Sequence, residues 1–183
     1  MAAHAQRLPI VGVMGSGTSA DEARARRLGR WLAAEGVHLL TGGGGGAMAA
    51  VTRAFVAVRP RRGRAIGVLP ADESLRAPRR GYPNEWVEIP IVTHLPASGA
   101  AGETPRSRNH LNVLSADVVV VMAGGAGTRS EARLALRYGR PVVAYLADRR
   151  EVPGLPAEIA VATSLPAVQR FVRAALGRMT GFR

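Results

Sequence analysis

The chain of 183 residues contains no cysteine and no lysine. Without cysteine there can be no disulfide, no thiolate zinc site and no thiol nucleophile. Without lysine, Schiff-base chemistry and the P-loop lysine are ruled out, and all 25 residues of the combined Lys and Arg count are arginine. Long apolar runs are missing as well. None reaches the roughly 20 residues that cross a bilayer, and residues 1–9 lack the apolar stretch of a secretory signal, so a soluble, cytoplasmic protein with no membrane partner is expected. Aromatic residues make up only 4% of the chain, and no nucleic-acid-reading motif or aromatic platform accompanies its formal charge of +12. The arginines scatter along helical patterns, as in Arg24, Arg26, Arg27 and Arg30 or Arg133, Arg137 and Arg140, where a solvated face is expected. One dense run, Arg59-Pro60-Arg61-Arg62-Gly63-Arg64, reads as a loop between a helix and a strand. Specific nucleic-acid binding is therefore not expected.

Short β-branched runs alternate with helical patterns from end to end, which is the signature of the α/β class. The expected architecture is a Rossmann-like doubly wound sheet, mainly parallel, of six or seven strands with helices on both faces. The length suits one domain over 1–183, with 1–8 as an N-terminal tail. Strands are expected over 10–14, 37–40, 64–69, 86–92, 118–121 and 141–146, and a weak one over 159–163. Helices are expected over 20–35, 47–58, 106–115 and 127–138, followed by a terminal helix with Ser164 as N-cap and Pro166 just inside its start. Residues 71–85 and 93–105 read as loops, where ligand identity is most often set.

Three of the strands run into glycine-rich turns that open helices. These turns hold Gly15, Ser16, Gly17 and Thr18; Gly43, Gly44 and Gly45 ahead of Met48; and Gly124, Gly125, Gly127 and Thr128 ahead of Glu131. In a parallel sheet all three lie at the carboxyl ends of the strands, where ligands bind. Unpaired N–H groups and the helix dipole favour an anion there, and glycine lets a phosphate approach the backbone. Thr128 adds a hydroxyl, and Glu131 follows one helical turn later. The first turn is not a full dinucleotide fingerprint, and Leu39-Leu40-Thr41 offers no acid at the end of the second strand, which argues against a dinucleotide redox enzyme.

The turn from Gly124 to Glu131, with Arg108 in the preceding helix, resembles the LOG-like Rossmann superfamily. That superfamily includes cytokinin-nucleotide phosphoribohydrolases, proteins long misnamed lysine decarboxylases, and molybdenum-cofactor carrier proteins. The likeness extends over 42–48, 67–70 and 140–143 and covers most of 9–146. It implies that Arg108 and Glu131 occupy functional positions. The phosphoribohydrolase branch typically reads Arg-Lys and begins its turn with Pro; here Asn109 follows Arg108, and Ala123 opens the turn, which is more similar to the carrier branch. The resemblance thus implies a protein that binds a phosphorylated nucleotide or pterin-type cofactor such as the molybdenum cofactor and needs no cofactor of its own for catalysis. The alternative it implies is a nucleoside 5′-monophosphate phosphoribohydrolase, a hydrolase of the N-glycosidic bond. In that chemistry Glu131 stabilises an oxocarbenium-like state and helps activate water, while Arg108 holds the carboxylate or the phosphate. A third reading of the same pair is an ion pair anchoring two helices.

Other residues point to structure. Asp117 begins a strand, Trp31 fits a core position, and Ser16 and Thr18 suit an N-cap as well as a phosphate. His38, His94 and His110 lack metal-ligand spacing, so no metal site is expected. Tyr82 and Trp86 are candidates to flank a planar ring. Ala132, Leu134, Ala135 and Leu136 put apolar groups on more than one face of their helix, so a homodimer or homotetramer is expected.

Overall fold

The computed structural model describes residues 7–180. Its strands are β1 (Ile10–Met14), β2 (His38–Thr41), β3 (Ala65–Leu69), β4 (Ile89–Val92), β5 (Val118–Val121), β6 (Val142–Tyr145) and β7 (Val161–Ala162). Its helices are α1 (Glu22–Glu35), α2 (Gly46–Val56), α3 (Asn109–Ser115), α4 (Ala126–Arg137) and α5 (Leu165–Thr180). The strands form one seven-stranded sheet in the order β4-β3-β2-β1-β5-β6-β7. Every strand pairing is parallel, from Val11 against Leu39 and Val118 at the centre to Tyr145 against Ala162 at one edge.

An all-parallel sheet must be covered on both faces, and its central strands then read as continuous apolar runs. β5 is four valines, each fully buried. One face packs Leu28, Trp31, Leu32, Val51, Phe55, Val168 and Val172 from α1, α2 and α5; the other packs Val113, Ala132, Leu134 and Ala135 from α3 and α4. The chain winds outward from β1 to β4, then returns beside β1 to start β5. That reversal leaves a crevice between the carboxyl ends of β1 and β5. It is bridged at its base by the Ser16 N–H donating to the Ala123 carbonyl at 2.9 Å.

Several boundaries differ from the sequence reading, for local reasons. α1 begins at Glu22 and not at residue 20, because the Asp21 side chain accepts the Arg24 N–H at 2.8 Å as N-cap. α3 begins at Asn109, three residues later than expected. Ser107 N–H is committed to the Thr104 carbonyl and Ser107 Oγ accepts the Asn109 N–H, which sets a turn in place of the first helical turn. β4 is four residues long: Asn84 caps the stretch before it, with its carbonyl accepting the Val87 N–H and its side chain the Trp86 N–H. β7 shrinks to two residues. Of the tail expected over 1–8, residues 1–6 lie outside the described residues, and both Arg7 guanidinium ends donate to the Asp117 carboxylate at 2.6 and 2.7 Å.

Candidate functional site

A cleft of about 290 Å³ opens at the crevice between β1 and β5. That volume lies just below the ~300–1,000 Å³ usual for small-molecule sites. Gly15, Ser16, Gly17, Thr18, Met48, Arg108, Asn109, Gly125, Gly127, Thr128 and Glu131 line it, all of them expected from sequence. Tyr82, one of the two aromatic candidates, lines it too, whereas Trp86 faces a neighbouring groove. His94 is exposed and does not reach the cleft.

Gly43, Gly44, Gly45 and Gly124 do not line the cleft but shape what does. Gly43 adopts φ +73°, and Asn84 grips the same turn, donating its N–H to the Gly43 carbonyl at 2.7 Å and its amide to the Gly44 carbonyl at 2.8 Å. The missing side chain of Gly44 makes room for Met48 and Tyr82, that of Gly45 for the Gly17 carbonyl, and that of Gly124 for Thr128 and the Ser16 amide. Gly42 matters most. A Cβ there would coincide with the Arg108 guanidinium, so the second glycine turn is the seat of that cation.

Arg108 is the N-cap residue of α3 and only 5% exposed. Its Nη1 lies 3.4 Å from Glu131 Oε1, and its Nε is buried with no hydrogen-bond partner among the described residues. Glu131 Oε1 also accepts from the Asn112 amide at 2.7 Å. Among the described residues its second oxygen accepts no hydrogen bond, while the residue lines the cleft. Burial pushes the Glu131 carboxyl above its ordinary range, opposed by the Arg108 charge and the Asn112 hydrogen bond. Beside it, Asn109 Nδ2 donates to Ser130 Oγ at 2.9 Å, tying α3 to α4 a second time. The pair is thus both an interhelical anchor and part of the cleft wall.

The anion-binding potential comes from two sides. Gly125, the N-cap of α4, supplies no side-chain cap, and Gly125, Gly127 and Thr128 of that first turn line the cleft with the helix dipole behind them. Opposite, Ser16 Oγ accepts the N–H groups of Thr18 and Ser19, which shapes the first turn around a hydroxyl. The cap of α1 is Asp21 and not Ser16 or Thr18.

Sequence reasoning passed over Ser98 and Gly99, which line the far wall, and Asn112, which donates to Glu131; Gly42, read only as part of the second glycine turn, makes room for the Arg108 guanidinium. Asn112 had a readable signal: it lies four residues after Arg108, on the same helix face. Ser98 had none, because its place depends on Arg79, which reaches across from the other loop to Ser98 Oγ and the Pro96 carbonyl.

The remaining singled-out residues are structural. The Asp117 carboxylate also accepts the Ile10 N–H, and the Trp31 indole donates to Glu35 at 2.9 Å. His38 Nδ1 accepts the Arg64 N–H, and His110 sits between Tyr138 and the Thr104 carbonyl. Within the arginine run, Arg61 is buried against Phe55 and paired with Glu88, which Arg64 also approaches. No group of three or more potential metal ligands occurs among the described residues, and no helix among them is long and apolar enough to cross a membrane.

A model of the SLOG cluster4 family matches residues 8–167. An uncharacterized protein of Archaeoglobus fulgidus is 30% identical over 138 residues, covering 74% of this chain and 79% of its own. Among solved structures, the molybdenum cofactor binding protein from the phototrophic bacterium Rippkaea orientalis aligns with a TM-score of 0.74 and 33% identity, over 94% of this chain and 99% of that one. The molybdenum cofactor carrier protein of Chlamydomonas reinhardtii aligns with a TM-score of 0.70 and 30% identity, over 93% and 99%.

Proposed function

The chain belongs to the SLOG cluster4 family, and from that premise we propose that it binds and carries a phosphorylated pterin-type cofactor, the molybdenum cofactor, in the cleft between β1 and β5. The observation that carries this reading is the convergence of the uncapped α4 N-terminus and the buried Arg108 guanidinium on one cleft. Backbone N–H groups and a seated cation both favour a phosphate. Two solved proteins that align over nearly the whole of both chains are named for binding or carrying that cofactor. The residues fit such a group. Tyr82 and Met48 provide an apolar wall for a planar ring, and the hydroxyls of Ser16 and Thr128 stand beside the phosphate position. The bound form is a homodimer or homotetramer, and the ligand is a small molecule, not a nucleic acid.

Hydrolysis of nucleoside 5′-monophosphates is the second reading, and one observation favours it: Glu131 lines the cleft with one oxygen that accepts no hydrogen bond from the described residues. One experiment separates the two. Purified protein is titrated with the molybdenum cofactor, and in parallel a panel of nucleoside monophosphates is followed for free base. The carrier reading expects saturable cofactor binding weakened at least about tenfold in Arg108→Ala, with no base released. Release of base that disappears in Glu131→Gln would establish the hydrolase instead.

A further inference from the structure

A second groove, of about 240 Å³, runs between the N-terminal ends of α1 and α2, and Thr18 lines both it and the main cleft. Its floor is Gly46, Ala49 and Ala50, three small residues on one face of α2, and Trp86 stands at its wall. Over the Trp86 ring, 5.5 Å from its centroid, lies the Arg53 guanidinium, whose Nη2 is 2.6 Å from Glu22 Oε2. Both members of that ion pair are more than half exposed, so as a salt bridge it contributes little to stability. What the arrangement does is hold a planar cation at the edge of the groove. Set over an indole and paired with a carboxylate, Arg53 offers a face to an aromatic ring. Gly46, at φ +54°, lets the turn of Ser16 to Thr18 seat directly against the start of α2. The phosphate-facing turn therefore stands between two ring-sized spaces.

We propose that this groove is a second ring-binding subsite and that the ligands the protein accepts include phosphate-linked dinucleotides: one ring lies against Tyr82 and Met48, the phosphates lie along the turn of Ser16 to Thr18, and a heteroaromatic base lies on Arg53 and Trp86. This rests on the phosphate reading of the main cleft and extends it to ligand class. Joining two sites through one linker turns the second contact into an intramolecular one, so affinity rises without change in the first site.

The test compares AMP with diadenosine 5′,5′-diphosphate, and GMP with its diguanosine counterpart, by calorimetric titration. Each dinucleotide is expected to bind at least about tenfold tighter than its mononucleotide, as one added stacked base provides. Arg53→Ala, at an exposed position, and Ala49→Leu, which fills the groove floor, should each bring the dinucleotide down to the mononucleotide affinity and leave the mononucleotide unchanged. Equal affinity of the two ligands, or a tenfold preference that survives both substitutions, overturns the subsite while leaving the main cleft's phosphate site intact. A dinucleotide that does not bind at all overturns it too, and the cofactor titration of Arg108→Ala is then read on its own.

Discussion

The Glu131 carboxylate is the residue on which the site's chemistry turns, because it is buried with one firm donor and one distant cation. Asn112 supplies the firm one at 2.7 Å, and Arg108 stands 3.4 Å away. Removing the donor in Asn112→Ala leaves a buried acceptor short of a partner, so a loss of about 1–3 kcal/mol in unfolding free energy is expected from denaturant titration. The pH dependence has a definite sign. Burial raises the folded-state pKa of Glu131 above its ordinary 4.5, so the native state holds that proton more tightly than the unfolded chain does. Its contribution to stability is fully present below 4.5 and is lost as pH rises through the folded value. Asp117, Glu88 and Glu35 act in the opposite sense: their folded values are lowered, and their contributions fade as pH falls. The difference between wild type and Glu131→Gln isolates the first effect. Measured across pH 4 to 8, wild type should lose stability relative to the glutamine variant as pH rises. A constant difference would show that folding leaves the pKa of Glu131 unchanged.

At the scale of elements, glycine separates positions where helices touch from positions where they face water. Gly29 sits where α1 crosses α2, and a Cβ there would meet the Val51 carbonyl, lie 2.9 Å from Ala54 Cβ and lie 3.0 Å from the Phe55 amide nitrogen. The helix-propensity gain of about 1 kcal/mol from Gly29→Ala is outweighed by overpacking, and a net loss of about 1–3 kcal/mol is expected. Gly177, exposed in α5 with no atom of the described residues within 4 Å of its Cβ position, should give the opposite result: Gly177→Ala is expected to raise stability by up to about 1 kcal/mol. Thermal melts of the two variants should move in opposite directions. The same contrast explains what could be read from sequence. The run from Val118 to Thr128 announced a buried strand, a turn and a helix because burial on both faces leaves a continuous apolar signature. Two of the three glycine turns at the ends of parallel strands, those of Gly15 to Thr18 and of Gly125 to Thr128, line the cleft and were legible as turns in the sequence. The start of α3 and the length of β4 were hidden because side-chain hydrogen bonds of Ser107 and Asn84 decided them. The far wall of the cleft was hidden because Arg79 joins two loops that no periodicity connects.

For the whole molecule, the apolar surface left over is not where the sequence placed it. Ala132, Leu134 and Ala135 are buried against the sheet, and of that group only Leu136 is exposed. Leu75 aside, the exposed large apolar side chains among the described residues form two sets: Ile89, Ile91 and Val92 on the edge strand β4, and Leu111, Leu114 and Leu136 on the α3–α4 face. The first set is the poorer docking surface for another strand, because Pro90 removes a backbone donor from the middle of that edge. The second set adjoins the site, since α3 also supplies Asn109 and Asn112 and follows directly from Arg108. Covering it with a second copy would bury three leucines and place two clefts near one interface. Sedimentation at micromolar concentration should therefore give a dimer or tetramer, and its melting temperature should rise with concentration, as mass action requires. Leu111→Glu with Leu114→Glu puts charges only where wild type is already exposed, so the protomer fold should survive while the assembly falls to monomer. A monomeric wild type, or a double variant that keeps its full mass, would move the interface elsewhere. If the assembly dissociates and cofactor affinity falls with it, the partner copy helps to complete the cleft. Unchanged affinity in the monomer would show that each cleft works alone.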